Sequence, residues 1–106
     1  MTPVEVLVRH KAELDALFYS QQIQESNPEA AIRFLQAIDD TIAGLALQPF
    51  KGRPRRFRGK DLAHIRSWRV NGFEVYLIFY RFMGTRLEVL RVRHGAMRFP
   101  RALRRP

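Results

Sequence analysis

The sequence has no cysteine and no long apolar run, and each absence excludes a class of function. Without cysteine, the chain has no disulfide framework, no thiolate nucleophile and no cysteine-based metal site. A membrane-spanning helix needs about 18 consecutive apolar residues, and no stretch of that length occurs. The three histidines are widely separated, so the sequence predicts neither a metal centre nor a cofactor. The opening residues "MTPVEVLVRHKAEL" lack the basic-then-apolar layout of a signal peptide, and we expect a cytoplasmic protein.

Acidic residues are scarce in the second half of the chain. Residues 1–50 carry three Lys and Arg against seven Asp and Glu, a net charge of −4. Residues 51–106 carry sixteen Lys and Arg against three Asp and Glu, a net charge of +13. A solubilising surface does not require charge to be segregated in this way. The asymmetry instead favours an acidic or polyanionic partner bound by the C-terminal half.

Hydrophobic periodicity predicts a single α+β domain over residues 1–97, followed by a basic tail at 98–106. The second helix has a clear start signal, because Asn27 is a good N-cap and Pro28 suits the first helical position. Asn71-Gly72 predicts a type I′ hairpin turn. The predicted elements, in the order β-α-α-β-β-β, are a strand within 2–10, helices at 11–24 and 28–47, and strands at 62–70, 73–82 and 86–94. We expect the helical hairpin to pack on one face of a mostly antiparallel sheet of about four strands.

Side-chain spacing predicts which faces of these elements are buried. In the first helix, residues at helical spacing form one apolar stripe that we expect to pack on the core: Leu14, Leu17 and Phe18. In the middle C-terminal strand, alternate residues share a face that we expect to meet the helices: Phe73, Val75, Leu77 and Phe79. The opposite face of the sheet is then expected to face solvent and to carry the function.

Four local motifs follow one another along the chain: "NPEAA" (27–31), "GRPR" (52–55), "IFYR" (78–81) and "EVLRVRHGA" (88–96). In this order they resemble the RelE/ParE superfamily of bacterial type II toxins over roughly residues 4–97, most closely the ParE branch of plasmid stabilisation toxins. The resemblance implies the fold above and a hetero-oligomer with a small acidic antitoxin that folds as it binds. The family often has an acidic residue shortly after the His-Gly-Ala motif, whereas this chain has Met97 and Arg98.

The superfamily implies two alternative mechanisms. RelE-like members cleave mRNA on the ribosome, and ParE-like members bind and inhibit DNA gyrase without chemistry of their own. Metal-free RNA cleavage requires an orienting or acid group, a cation and a proton-transfer group, for which the candidates are Tyr80, Arg91 and His94. The candidate residues for binding the target and the antitoxin are Arg66, Trp68, Arg69, Tyr80, Arg81, Arg91, Arg93 and His94.

Arginine dominates the C-terminal half and favours the gyrase-directed mechanism. Every cation after Lys60 is arginine, which binds phosphate well but is a poor proton donor. A third alternative is a basic nucleic-acid-binding module without toxicity. It would bind phosphates through the tail at 98–105 and the basic loop at 51–60, which contains Arg53, Arg55, Arg56 and Arg58. The sequence leaves open which target is bound and whether the chain is toxic.

Overall fold

The computed structural model describes residues 4–95, and the predicted tail at 98–106 lies outside them. Its elements are β1 (Glu5–Val8), α1 (His10–Ser26), α2 (Pro28–Leu47), β2 (Arg53–Pro54), a 3₁₀ helix (Lys60–Leu62), β3 (Arg66–Val70), β4 (Phe73–Met83) and β5 (Arg86–His94). Both predicted helices and all four predicted strands are confirmed, and β2 is an addition. The strand predicted from residue 62 begins only at Arg66, because the 3₁₀ helix occupies its first residues. Within residues 4–95, no helix is long and apolar enough to cross a membrane.

The five strands form one sheet in the order β1-β5-β4-β3-β2. All neighbours are antiparallel except β1 and β5, which pair in parallel with Val8 opposite Val89. The first and last strands are therefore neighbours, and α1 and α2 form the connection that leads from β1 back to the sheet. This arrangement confirms the predicted α+β class, with a helical hairpin on a mostly antiparallel sheet.

The second helix begins and ends where its sequence signals indicate. The Asn27 side chain accepts a hydrogen bond from the Ala30 N–H at 3.0 Å, and Pro28 follows it at the first helical position. Gln48 precedes a proline and is the C-cap. Phe34 and Leu45 on this helix are fully buried in the main core, which lies between the helices and the sheet.

The sheet is apolar on both faces, and the prediction for β4 is wrong. From residue 76 onward, the side chains of β4 that join the main core are Tyr76, Ile78, Tyr80 and Phe82. Phe79 and Leu77 face the other way and belong to a second cluster. The loop before β3 completes that cluster and covers part of the face expected to be open to solvent, through Phe57, Leu62 and Ile65. Alternation holds from Tyr76 to Phe82, but Phe73 also packs on the main core. The break lies between Phe73 and Leu77, because these two residues pair with the adjacent residues Val70 and Arg69 of β3.

Phe73 is the one member of the predicted face that does contact the helices. Its ring packs edge-on against Phe34, with 5.3 Å between the centroids. The β3–β4 turn beside it is not type I′, because only Gly72 of its two central residues has a positive φ, at 78°. A type II turn needs a positive φ at that single position. The Asn71 N–H donates to the buried Thr41 hydroxyl at 3.0 Å, which ties this turn to α2.

The stripe predicted to bury α1 is exposed instead. Leu14, Leu17 and Phe18 are 50%, 52% and 55% exposed. The buried face of α1 contains small and polar residues: Ala12, Asp15, Tyr19 and Ser20. Small side chains let α1 lie close to its neighbours, and the polar ones are buried because they have hydrogen-bond partners there.

Candidate functional surfaces

The first helix supplies hydrogen-bond acceptors to an edge that β1 leaves uncovered. β1 ends at Val8, opposite Val89, and within residues 4–95 no strand pairs with the rest of β5 on that side. An Asp15 carboxylate oxygen accepts the Val92 N–H at 3.0 Å, and the Tyr19 hydroxyl accepts the His94 N–H at 3.2 Å. Asp15 and Tyr19 are one helical turn apart, so they can meet alternate residues of the strand. Their side chains therefore continue the pairing that β1 begins.

The same carboxylate holds two of the predicted binding arginines. Arg91 donates to both oxygens of Asp15, from Nε at 2.7 Å and from Nη2 at 2.9 Å. Arg93 approaches Asp15 through Nη1 at 3.5 Å, and its Nε is buried without a hydrogen-bond partner. The side chains of Asp15, Arg91 and Arg93 are only 9%, 14% and 15% exposed. Hydrogen bonding to Asp15 raises the pKa of Arg91, although burial opposes the change. Arg91 is thus a fixed cation within the fold.

Tyr80 lies in the main core and has no exposed surface. Its hydroxyl donates to the Pro49 carbonyl at 2.7 Å and accepts the Gly52 N–H at 3.0 Å. Burial raises the pKa of Tyr80, against smaller lowering effects of the Gly52 hydrogen bond and of the Arg66 charge. A Cβ atom at Gly52 would lie 2.8 Å from two ring carbons of Tyr80, so only glycine fits there. Tyr80 thereby holds the loop after α2 against the sheet.

The three candidate catalytic residues are not brought together. Tyr80 faces the main core, whereas Arg91 pairs with Phe79, whose side chain belongs to the opposite face. His94 pairs with Tyr76, four residues from Tyr80 along β4, which corresponds to about 13 Å at the usual rise of a strand. The half-buried His94 ring packs edge-on against Tyr76, with 5.4 Å between the centroids.

The remaining predicted binding residues lie in different environments. Arg66 donates from Nη1 to the Phe50 and Gly52 carbonyls at 3.1 and 2.9 Å. Trp68 packs against the main core. Arg69 lies over the Trp68 ring at 4.6 Å and pairs with Glu74 at 3.1 Å. The Arg69 side chain is 51% exposed and is therefore accessible to a partner.

Arg81 belongs to a three-residue ion cluster. Glu88 accepts Arg81 Nε at 3.0 Å and Arg9 Nε at 2.8 Å through its two oxygens. Burial alone would raise the pKa of Glu88, but hydrogen bonds from both arginines prevail and lower it. Arg81 also donates to the Asp61 carbonyl at 3.2 Å, which connects β4 to the covering loop.

The basic loop is largely at the surface. Arg53, Arg56 and Arg58 are exposed, whereas Arg55 is half-buried and donates to the Ser67 hydroxyl at 3.2 Å. Burial, followed by repulsion from Arg53, lowers the pKa of Arg55. In the described part of the chain, no three His, Cys, Asp or Glu side chains are close enough together to hold a metal ion.

An open cleft of about 330 Å³ lies beside this loop, and we call it the basic–aromatic cleft. Its lining residues are Phe50, Pro54, Arg55, Arg56, His64, Ile65, Arg66 and Phe82. The Phe50 and Phe82 rings meet edge-on at 5.5 Å, and the Arg66 guanidinium lies 5.2 Å from the centre of the Phe50 ring. His64, at the surface, has a φ of 62°, a left-handed conformation that is uncommon for a residue with a side chain. None of the lining residues is acidic.

Comparison with solved structures identifies the fold as that of small type II toxins. A chromosomal ParDE toxin–antitoxin system from P. aeruginosa matches with a TM-score of 0.70 at 17% identity, covering 86% of this chain and 95% of the matched chain. The toxin–antitoxin complex RelBE2 from Mycobacterium tuberculosis matches with a TM-score of 0.58 at 23% identity, covering 88% of this chain and 99% of the matched chain. A YoeB/ParE toxin from Agrobacterium tumefaciens matches with a TM-score of 0.55 at 24% identity, covering 85% of this chain and 96% of the matched chain.

The sequence defines the family more narrowly. The family model described as "ParE toxin of type II toxin-antitoxin system, parDE" matches residues 4–99. The chain therefore belongs to the ParE toxin family, within the RelE/ParE superfamily, as its motifs predicted. No curated protein sequence matches it significantly.

Two residues that organise the β5 edge were not predicted from the sequence. Asp15 and Tyr19 have no motif of their own, and both lie outside the apolar stripe that was predicted to be buried. The available signal was their four-residue spacing together with Ala12 and Ala16, which indicates a helix face that can approach other backbone closely.

Proposed function

We propose that this ParE-family toxin acts by binding DNA gyrase and that it does not cleave RNA. The observation that carries the proposal is the placement of Tyr80, Arg91 and His94. The Tyr80 hydroxyl is occupied by backbone partners in the core, and Arg91 is fixed by Asp15. Catalysis by proton transfer needs groups within hydrogen-bond reach of one substrate. These three side chains lie on two faces and at separate positions of the sheet, so they support a structural role better than a catalytic one.

Among the predicted binding residues, Arg69 is the best candidate for contact with the target. It is half exposed, and its ion pair with Glu74 is at the surface, where such pairs contribute little stability and exchange partners readily. Val75 is also exposed, so an apolar contact is available on the same strand as Glu74. A patch with an arginine and an exposed aliphatic side chain suits an acidic protein surface.

We place the antitoxin on the outer face of α1, defined by Leu14, Leu17 and Phe18. These large apolar residues occupy positions i, i+3 and i+4, the spacing at which a partner helix packs. Their exposure has no explanation within the isolated fold, and apolar patches of this kind commonly mark interaction sites. Two of the similar solved structures are toxin–antitoxin systems or complexes, which supports an antitoxin as the partner of this chain.

The target is tested by parallel assays on the purified chain. We expect loss of supercoiling by gyrase and intact mRNA in a translating extract. Arg69→Ala should weaken the inhibition, whereas Arg86→Ala should not. Arg86 is a matched control because it is 53% exposed and pairs with an exposed carboxylate, that of Glu5, at 2.8 Å. Cleavage of mRNA that depends on ribosomes and disappears in Tyr80→Phe would refute the proposal and favour the ribonuclease alternative.

The antitoxin surface is tested by co-expression with the small acidic protein expected to be encoded beside the toxin. Leu17→Glu should abolish rescue of growth, because it places a charge within the apolar contact. Leu47→Glu, at a 73% exposed position near the end of α2, is the control and should leave rescue intact. Equal rescue of both variants would exclude the outer face of α1 as the antitoxin site.

A further inference from the structure

The basic–aromatic cleft combines positive charge with an exposed aromatic ring and has no role in the function proposed above. Three arginines and one histidine line it, and no carboxylate does. Arg56 and Arg66 also have no acidic partner elsewhere among residues 4–95. Arg66 directs Nη1 to two carbonyl groups, while its Nε and Nη2 have no protein acceptor in the described region. These N–H groups are therefore available to an anion.

Phe50 distinguishes this cleft from a purely electrostatic surface. The residue is 65% exposed, and its ring is in a T-shaped contact with the ring of Phe82. The Arg66 guanidinium lies 5.2 Å from the same ring. A ligand that places an anionic group on the arginines would therefore bring a neighbouring flat group against Phe50. Phosphate joined to a planar base has this combination, and proteins bind single strands by pairing arginines with phosphates and aromatic rings with bases.

We propose that the basic–aromatic cleft binds one nucleotide unit, with the phosphate on Arg56 and Arg66 and the base on Phe50. The volume of about 330 Å³ is at the small end of the range of ligand pockets, about 300–1,000 Å³, so it suits one unit of this size. The Asp and Glu side chains of an acidic peptide satisfy the arginines but carry no flat ring for Phe50, whereas a nucleotide joins both groups in one unit and is favoured for this reason. The unit is either a free nucleotide or part of a single-stranded nucleic acid. The cleft is separate from Arg69 and from the outer face of α1, so the proposal is independent of the gyrase and antitoxin assignments.

The test measures fluorescence anisotropy of labelled oligo(dT) and oligo(U) of about 10 nucleotides, within the usual site size of single-strand binders. Phe50→Ala should weaken binding about 5- to 150-fold, the range of base–aromatic stacking free energies, with an unchanged dependence on salt. Arg56→Ala should reduce the slope of log K against log[salt] by about 0.7, the value for one single-strand phosphate contact. Leu47→Ala and Arg58→Ala are the controls, because both residues are exposed and neither lines the cleft.

Competition identifies the source of the nucleotide. If nucleoside monophosphates displace the oligonucleotide and inorganic phosphate at the same concentration does not, the cleft accepts a free nucleotide. If neither displaces it while Phe50→Ala still weakens binding, the ligand is a nucleic acid strand. The proposal is overturned if Phe50→Ala and Leu47→Ala bind alike, if Arg58→Ala changes the salt slope as much as Arg56→Ala, or if nothing binds. It is also overturned if polyglutamate binds the cleft with the same dependence on Phe50.

Discussion

Replacing Asp15 with asparagine tests the most consequential contact in the structure. The substitution keeps the size of the side chain but removes the charge that faces Arg91 at 2.7 and 2.9 Å and Arg93 at 3.5 Å. Removing one partner of a buried ion pair costs about 3–5 kcal/mol, because the other charge stays buried without compensation. Asparagine still has one oxygen that can accept the Val92 N–H. We therefore expect a loss of unfolding free energy at the lower end of this range, about 3 kcal/mol.

That loss is measurable by urea denaturation followed through the single tryptophan, Trp68. With a denaturant slope of about 1.5 kcal/mol/M, a loss of 3 kcal/mol lowers the urea midpoint by about 2 M. The thermal midpoint should fall by about 12–24 °C, at 4–8 °C per kcal/mol for a domain near this size. Glu74→Gln is the matched control, since it removes one negative charge from an exposed ion pair and should cost less than about 1 kcal/mol. If the midpoint of Asp15→Asn moved no further than that of Glu74→Gln, the buried pair would not stabilise the fold.

A double variant separates the charge from the strand edge. Asp15→Leu with Arg91→Met replaces the ion pair by apolar side chains, a change that is often neutral in itself. The Val92 N–H then has no acceptor, and an unsatisfied buried donor costs about 1–3 kcal/mol. Arg93 also loses its carboxylate in this variant, so we expect only partial recovery relative to Asp15→Leu alone. Full recovery to the stability of the unmodified protein would show that the edge hydrogen bond contributes nothing.

Three further variants test other contacts. Tyr80→Phe should lose about 1–3 kcal/mol, because two buried backbone groups lose their partner, while inhibition of gyrase below the melting temperature is retained. Gly52→Ala should cost about 1–3 kcal/mol, since its Cβ overlaps the Tyr80 ring; a stability equal to that of the unmodified protein would contradict this packing. Glu88 has a lowered pKa, so its carboxylate stabilises the fold above its ordinary value of 4.5, and this contribution is lost as the pH falls through the lower folded value. Urea denaturation of Glu88→Gln should therefore show a deficit at pH 7 that shrinks towards pH 3, and a constant deficit would refute the linkage.

The elements whose periodicity and end signals agree could be predicted from the sequence. The second helix has both an apolar stripe and an Asn-Pro start, and its boundaries match the structure. The first helix misleads because its most apolar face, at Leu14, Leu17 and Phe18, is exposed. The faces of β4 could not be told apart, since both are apolar and an irregularity opposite Arg69 and Val70 puts Phe73 out of phase with Leu77.

The candidate site was less predictable than the fold. Residue types indicated that the cations of the C-terminal strands would be arginines, and β2 to β5 contain arginines and no lysine. Which of them are accessible depends on contacts between distant parts of the chain. Arg91 is fixed by a carboxylate 76 residues earlier, whereas Arg69 pairs with Glu74 only five residues away and stays exposed. No local pattern distinguishes these two outcomes, because the difference arises only when α1 reaches the edge of β5.

The parallel pairing of β1 with β5 has a consequence for folding during synthesis. Arg86 reaches Glu5 across 81 positions, and the Asp15 contacts span 76 and 77. A nascent chain that has emerged only as far as β4 has no Val89 or Val92 to close the core beneath its helices. Contacts this distant in sequence slow folding, since the intervening loop must be ordered before they form. The toxin should therefore acquire its native form only once β5 has left the ribosome, and fragments that stop before β5 should be degraded.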